Sequence, residues 1–263
     1  MTTYKSTHHT DRKKIVIKLG GSTLEGLNQS FFSNFKLLQE QGYDVIITHG
    51  GGPAINRELE KQKVKTHAIN GIRVTNEDAI DIVQNTLIGT VNTKLVFELN
   101  KAGIAAIGLN GFDAGLIQCE FLDQETYGFV GEIKKINTEI IKQLAANNVV
   151  PVIACVGTSL DGQGLNINGD TVASEVALAV GAESLLLVTD VSGIRILDEY
   201  QKEATETLIN QWIEEGHIYG GMIPKVQGAL QVLEAGVPSV QIVDDSLTGT
   251  KILSEINEPN YSL

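Results

Sequence analysis

Five short stretches place lysine or bare backbone groups at positions suited to holding an anion. Lys18-Leu19-Gly20-Gly21 sets an ammonium group beside two glycines, whose N–H groups are open to close approach. His49-Gly50-Gly51-Gly52-Pro53 places three more glycines before a proline that marks a first helical turn, a second anion cradle. The Asn110-Gly111 loop, the turn Asp190 to Gly193, and Gly220-Gly221 with Lys225 complete the set. None is a P-loop, because no Gly-Lys-Ser/Thr follows at the required spacing. No Ser-His-Asp or Cys-His arrangement is evident, and His49 reads as structural. Phosphoryl transfer to a carboxylate suits such a set, since that nucleophile is anionic at pH 7 and needs no general base. Its obstacle is charge, which lysines, backbone N–H groups and Mg²⁺ can offset.

The apolar pattern supplies the elements that must carry these groups. Ile15-Val16-Ile17 is a β-branched run, too short for a helix and typical of a buried parallel strand, and it ends in Lys18. Residues 43–48, 104–108, 149–156, 184–189 and 237–243 read as strands too, with 237–243 the last. Residues 31–41 carry Phe32, Phe35, Leu37 and Leu38 at helical spacing and stop at Gly42. Residues 53–61, 138–147, 171–180, 207–215 and a stretch from Gly220-Gly221 to about Gly236 are further helices. Asn76 N-caps a long helix reaching about Lys101, with Ile80, Val83, Leu87, Val91, Leu95 and Leu99 as its stripe. Residues 67–75 form an extended segment or hairpin bent at Gly71, and 116–137 alternate as antiparallel strands.

This alternation predicts an α/β fold, a three-layer αβα sandwich with a mostly parallel central sheet. Ligands of such sheets sit beyond the carboxyl ends of the strands. Lys18, the Gly50–Gly52 loop, Asn110-Gly111 and Asp190 to Gly193 all fall there. Two closely joined lobes are expected, with a boundary near Gly181.

The 263 residues are 42% hydrophobic and carry a net charge of −12, which argues against a nucleic-acid or membrane partner. Cys119 and Cys155 form no metal pattern and suit a reducing cytoplasm. No apolar run approaches the roughly 18 residues that cross a membrane. Residues 1–14 lack the apolar segment of a signal peptide and read as a polar, disordered tail containing His8-His9. The expected location is the cytoplasm.

Lys18-Leu-Gly-Gly, His49-Gly-Gly-Gly-Pro, Asn70-Gly-Ile-Arg73-Val-Thr, Asn166-Ile-Asn168-Gly-Asp170, Thr189-Asp190-Val-Ser-Gly193 and Gly221-Met-Ile-Pro-Lys225 occur in the order seen in the amino-acid kinase family. The chain resembles that family from Ile15 onward. The resemblance implies Mg²⁺- and ATP-dependent phosphorylation of a carboxyl group. Its Asn-Gly-Ile-Arg-Val-Thr and Asn-Ile-Asn-Gly-Asp segments point to the γ-carboxylate of N-acetyl-L-glutamate, in arginine biosynthesis. By the same resemblance Lys18 and Lys225 stabilise the transferred group, and Asp170 holds both lysines in position. Gly51, Gly52, Arg73, Asn166 and Asn168 bind the acyl substrate, with the planar fork of Arg73 on a carboxylate. Gly20, Gly21, Gly50, Asp190, Gly193 and Tyr219 bind ATP, and Mg²⁺ is held mainly by the nucleotide phosphates; no metal site on the protein is expected. Residues 15–180 form the acyl-substrate lobe and 181–263 the nucleotide lobe. The bland alternatives are a helix N-cap for Asp170 and a surface ion pair for Arg73.

Ala114 stands where the family often has glycine. Residues 1–14 offer no apolar stripe of the kind that links family dimers into arginine-inhibited hexamers, so a homodimer insensitive to arginine is expected. Carbamate, uridylate and glutamate 5-kinases share the lysine–glycine framework. A kinase for a carrier-linked aminoadipate or glutamate is a nearer alternative, although its acidic carrier would be repelled by a −12 chain. A non-catalytic amino-acid or nucleotide sensor is the remaining one, opposed by the presence of Lys18, Asp170 and Lys225.

Overall fold

The computed structural model describes residues 12–254. Most of the expected polar tail, including His8-His9, lies outside those residues. Its last residues are anchored: the Arg12 guanidinium donates to the carbonyls of Gln39 and Gly42 and lies 3.3 Å from Asp44. The first strand then opens at Lys14.

Eight strands form the main sheet, in the order Glu203–Thr205, Gly249–Leu253, Ser239–Val243, Ser184–Val188, Lys14–Leu19, Asp44–His49, Val150–Ala154, Ala106–Leu109. The six from Ser239–Val243 onward are mutually parallel, and Gly249–Leu253 runs against its neighbour Ser239–Val243. Gly249–Leu253 follows 237–243, which is therefore not the last strand. Lys14–Leu19 sits at the centre, where the order reverses and a crevice opens at the carboxyl ends.

Two-residue periodicity assigns the central strand's side chains to opposite layers. Ile15, Ile17 and Leu19 pack with Phe31, Phe32, Phe35, Leu95 and Leu99. Val16 faces the other way, into a core with Val172, Val176, Val226 and Leu230. Helices therefore cover both faces, as expected. A smaller four-stranded sheet adds Gly164–Asn166, Val156–Thr158, Ile117–Phe121 and Gly131–Ile136. The long helix capped by Asn76, whose side chain accepts from the Ala79 N–H, changes character midway. It runs α over Glu77–Gln84, π over Asn85–Asn92, and α again over Thr93–Lys101.

In the Gln29–Glu40 helix the buried residues are Phe31, Phe32 and Phe35, whereas Leu37 is 49% exposed and does not belong to the stripe. Phe35→Ala should therefore lower stability by about 3–5 kcal/mol in urea denaturation. Leu37→Ala should change it by less than about 0.5 kcal/mol. Similar losses at both positions would mean that the helix packs on a different face.

Candidate active site

Lys18 shares its face of the central strand with Val16, so it points toward the layer in which the helix Gly169–Val180 begins. Its Nζ lies 2.9 Å from Asp170 Oδ1. The ammonium folds back over Gly20, where a Cβ would stand 2.8 Å from Nζ. The helix N-cap is Asn168 rather than Asp170: Asn168 Oδ1 accepts from the N–H groups of Asp170 (2.8 Å) and Thr171 (3.2 Å). That leaves the Asp170 carboxylate to Lys18. Lys225 has a different partner from the one expected, Asp190, at 2.5 Å. Its hydrogen bond holds the Asp190 carboxyl below the usual range. Both carboxylates are largely exposed, so each pair contributes at most about 1 kcal/mol to stability. What the pairs fix is the direction of two ammonium groups.

The crevice has two compartments. The larger, about 830 Å³, is lined by Lys18, Asp170, Thr189, Asp190 and Lys225 among others. The smaller, about 280 Å³, is lined by Gly50, Gly51, Gly52, Arg73 and Asn166. Lys18, Gly20, Gly21, Ile72, Asn168 and Asp170 belong to both, so the two spaces meet at Lys18.

Most of the residues singled out from sequence thus come together. Gly50, expected with the nucleotide, lines the smaller space instead. Gly193 and Tyr219 line neither. A Cβ at Gly193 would meet Thr250 Oγ1 at 2.6 Å, which makes that glycine a packing requirement, and Tyr219 stands exposed. The Asn110-Gly111 loop lines neither space; Gly111 is needed because a Cβ there would lie 2.6 Å from the Val156 carbonyl oxygen. Ala114 nearby takes φ 52°, a left-handed conformation that costs a non-glycine residue about 1–2 kcal/mol. Sequence reasoning passed over Ser174, Glu175, Gly228 and Gln231, which line the larger space. The available signal was spacing: they stand three to six residues beyond Asp170 and Lys225 along their helices.

In the smaller compartment Arg73 donates to Thr66 Oγ1 (2.9 Å) and Asn56 Oδ1 (2.5 Å). Both partners are neutral, and Arg73 pairs with no carboxylate among the described residues, so the expected alternative of a surface ion pair is not formed. Burial lowers its pKa, yet a guanidinium stays charged. Asn166 Nδ2 donates to Thr75 Oγ1 (3.1 Å), and that hydroxyl donates to the Arg73 carbonyl (3.0 Å). Neither compartment is lined by a histidine. The Cys155 thiol in the smaller one is pushed up to about 12 by burial.

The amino acid kinase family profile matches residues 13–244. The chain belongs to the amino-acid kinase family. Similar curated family members are the acetylglutamate kinase of Geobacillus stearothermophilus, 40% identical over 93% of this chain and 98% of the relative, and that of Halalkalibacterium halodurans, 43% identical over 88% of each. A Streptococcus mutans UA159 protein of known crystal structure is 37% identical, with TM-score 0.80 over 91% of this chain and 98% of that one. Giardia lamblia carbamate kinase bound to AMP-PNP, 18% identical, shares the fold at TM-score 0.62 over 93% of this chain and 99% of that one.

His49, beneath the glycine loop, is fully buried, and burial pushes its pKa down to about 4 against an opposing hydrogen bond to the Gly50 carbonyl. An unfolded-state histidine titrates near 6.5, so between these values the unfolded chain binds the extra proton and stability falls as pH falls. From pH 7 to pH 5 this residue should remove about 2 kcal/mol, at about 1.4 kcal/mol per unit below 6.5. Urea denaturation at both pH values should show that loss in the wild type in excess of His49→Asn. Identical pH dependence of the two would mean that His49 takes up its proton in the folded state.

Proposed function

We propose that this protein is an acetylglutamate kinase, transferring the γ-phosphoryl group of ATP to the γ-carboxylate of N-acetyl-L-glutamate in arginine biosynthesis. The observation that carries the reading is Arg73. An uncompensated guanidinium in a small compartment, which opens onto a larger one at Lys18, suits a small acid meeting a nucleotide. On this reading residues 15–180 bind the acyl substrate and residues 181–263 the nucleotide. Arg73 and Asn166 hold the acid, and its γ-carboxylate lies toward Lys18.

Lys18 and Lys225 offset the charge on the transferred group, and the carboxylate attacks without a base. The N–H groups of Gly20, Gly21, Gly51 and Gly52 donate to no protein acceptor among the described residues, which leaves them to phosphate and carboxylate oxygens. Mg²⁺ enters with ATP as part of the substrate and neutralises phosphate charge. No group of three His, Cys, Asp or Glu side chains among the described residues could hold an ion alone, and phosphates with one or two carboxylates suffice for Mg²⁺. We further read the protein as cytoplasmic, consistent with two free buried cysteines, and as a homodimer. The dimer contact would use the Thr93–Lys101 end of the long helix and the edge strand Ala106–Leu109, where Phe97 is 60% and Ile107 43% exposed.

A coupled assay with ATP and a panel of N-acetyl-L-glutamate, glutamate, aspartate, carbamate and UMP tests the assignment. N-acetyl-L-glutamate should be the fastest acceptor by a wide margin, and faster turnover of any other would refute it. Lys18→Ala and Lys225→Ala should each lower kcat by about 10²–10³-fold. Arg73→Ala should chiefly raise KM for the acid, by about 10–100-fold, and leave that for ATP nearly unchanged. A variant with lost ATP affinity and an intact acid KM would move Arg73 to the nucleotide side.

A further inference from the structure

His49 is buried, titratable and absent from both compartments, yet the loop that lines the smaller one begins at the next residue. Asn92 Nδ2 carries two hydrogens, directed to the Val152 carbonyl (2.9 Å) and His49 Nε2 (2.9 Å). Nε2 is therefore an acceptor, so in the neutral ring the proton sits on Nδ1. That Nδ1–H donates to the Gly50 carbonyl at 2.8 Å. Across a trans peptide the C=O and the following N–H point in opposite directions, and no peptide here is cis. Holding the Gly50 oxygen against His49 turns the Gly51 N–H away from the core, and that N–H donates to no protein group among the described residues.

The π segment supplies the rest of the support. A Cβ at Gly51 would lie 2.8 Å from Leu87 Cδ2 and 3.2 Å from Val91 Cγ2, so the loop is pressed onto two residues of that segment. Asn92 is its last residue and packs so closely on Gly108 that a Cβ there would stand 1.9 Å from Asn92 Oδ1. Short π turns inside α-helices often serve sites in this way.

We infer that His49 and Asn92 are positioning residues: through the Gly50 carbonyl they fix which way the Gly50–Gly51 peptide faces, and so aim the Gly51 N–H at the reacting carboxylate or phosphoryl oxygens. The identity of those oxygens rests on the acetylglutamate kinase reading; the peptide orientation does not. Losing one fixed N–H donor of this kind lowers kcat about 10²-fold.

The test compares His49→Gln with His49→Asn. The Asn amide nitrogen can occupy the place of Nδ1 and keep the bond to Gly50, whereas that of Gln occupies the place of Nε2 and cannot. His49→Gln should lower kcat about 10²-fold while the KM for ATP stays within about twofold, and His49→Asn should recover most of that loss. A crystal structure of His49→Gln should show the Gly50–Gly51 peptide reversed or in two orientations. If His49→Gln does not fold, Asn92→Ala should give the same signature, with kcat at least about tenfold down and the peptide reoriented. Equal activity of the Gln and Asn variants, or an unmoved peptide in a slowed variant, would overturn the proposal. A wild type inactive on N-acetyl-L-glutamate would overturn the reaction assignment instead, with the peptide orientation in the variant still deciding this one.

Discussion

A lysine at the end of a buried strand has few places to put its charge, and the crevice is arranged around the place Lys18 finds. Alternation along Lys14–Leu19 sends its ammonium to the layer where the Gly169–Val180 helix starts, and Asp170 stands in that helix's first turn. Two compartments of different size meet at this pair. A second ammonium, Lys225, is carried in from another helix with its own carboxylate, Asp190. In a chain of net charge −12, two lysines already aligned by carboxylates would, on the proposed kinase reading, let a polyphosphate and an acid approach each other. The pairs are too exposed to hold the fold together, so their value lies in orientation.

The glycines are needed for more than one reason. Gly20 leaves room for the Lys18 ammonium, Gly51 lets the loop lie on the π segment, and Gly193 and Gly111 let backbone or side chains of other elements pass close by. Only the first two line the crevice. A glycine-rich stretch at a strand end therefore marks a close approach, and the partner decides whether that approach is to a ligand or to the protein itself.

The layered fold was legible because the strands are buried on both sides and read as apolar runs, and because glycine and proline punctuate them. Three of the six motifs, at Lys18, His49 and Thr189, fell at carboxyl ends of main-sheet strands, and the other three reach the crevice from a hairpin and two helix starts. Pairing across long sequence distances was not legible: nothing local to Lys225 indicates Asp190 rather than Asp170. The strand Gly249–Leu253 was missed because five residues with a lysine at their centre carry little periodic signal. The π segment left a trace. Val83, Leu87, Val91, Leu95 and Leu99 are all buried at successive spacings of four. A regular α-helix would rotate such a row by about 40° per step, carrying it off the buried face. The wider turns over Asn85–Asn92 absorb part of that drift, and they bring Asn92 beneath the glycine loop.

If the Lys18–Asp170 pair organises the junction, neutralising the carboxylate without changing its size should disable transfer while leaving both ligands bound. Steady-state kinetics of Asp170→Asn with ATP and N-acetyl-L-glutamate measures this directly. The account predicts a fall in kcat of at least about 10²-fold, with each KM within about threefold of wild type. A kcat close to wild type, or a loss carried entirely by the KM of one substrate, would contradict it.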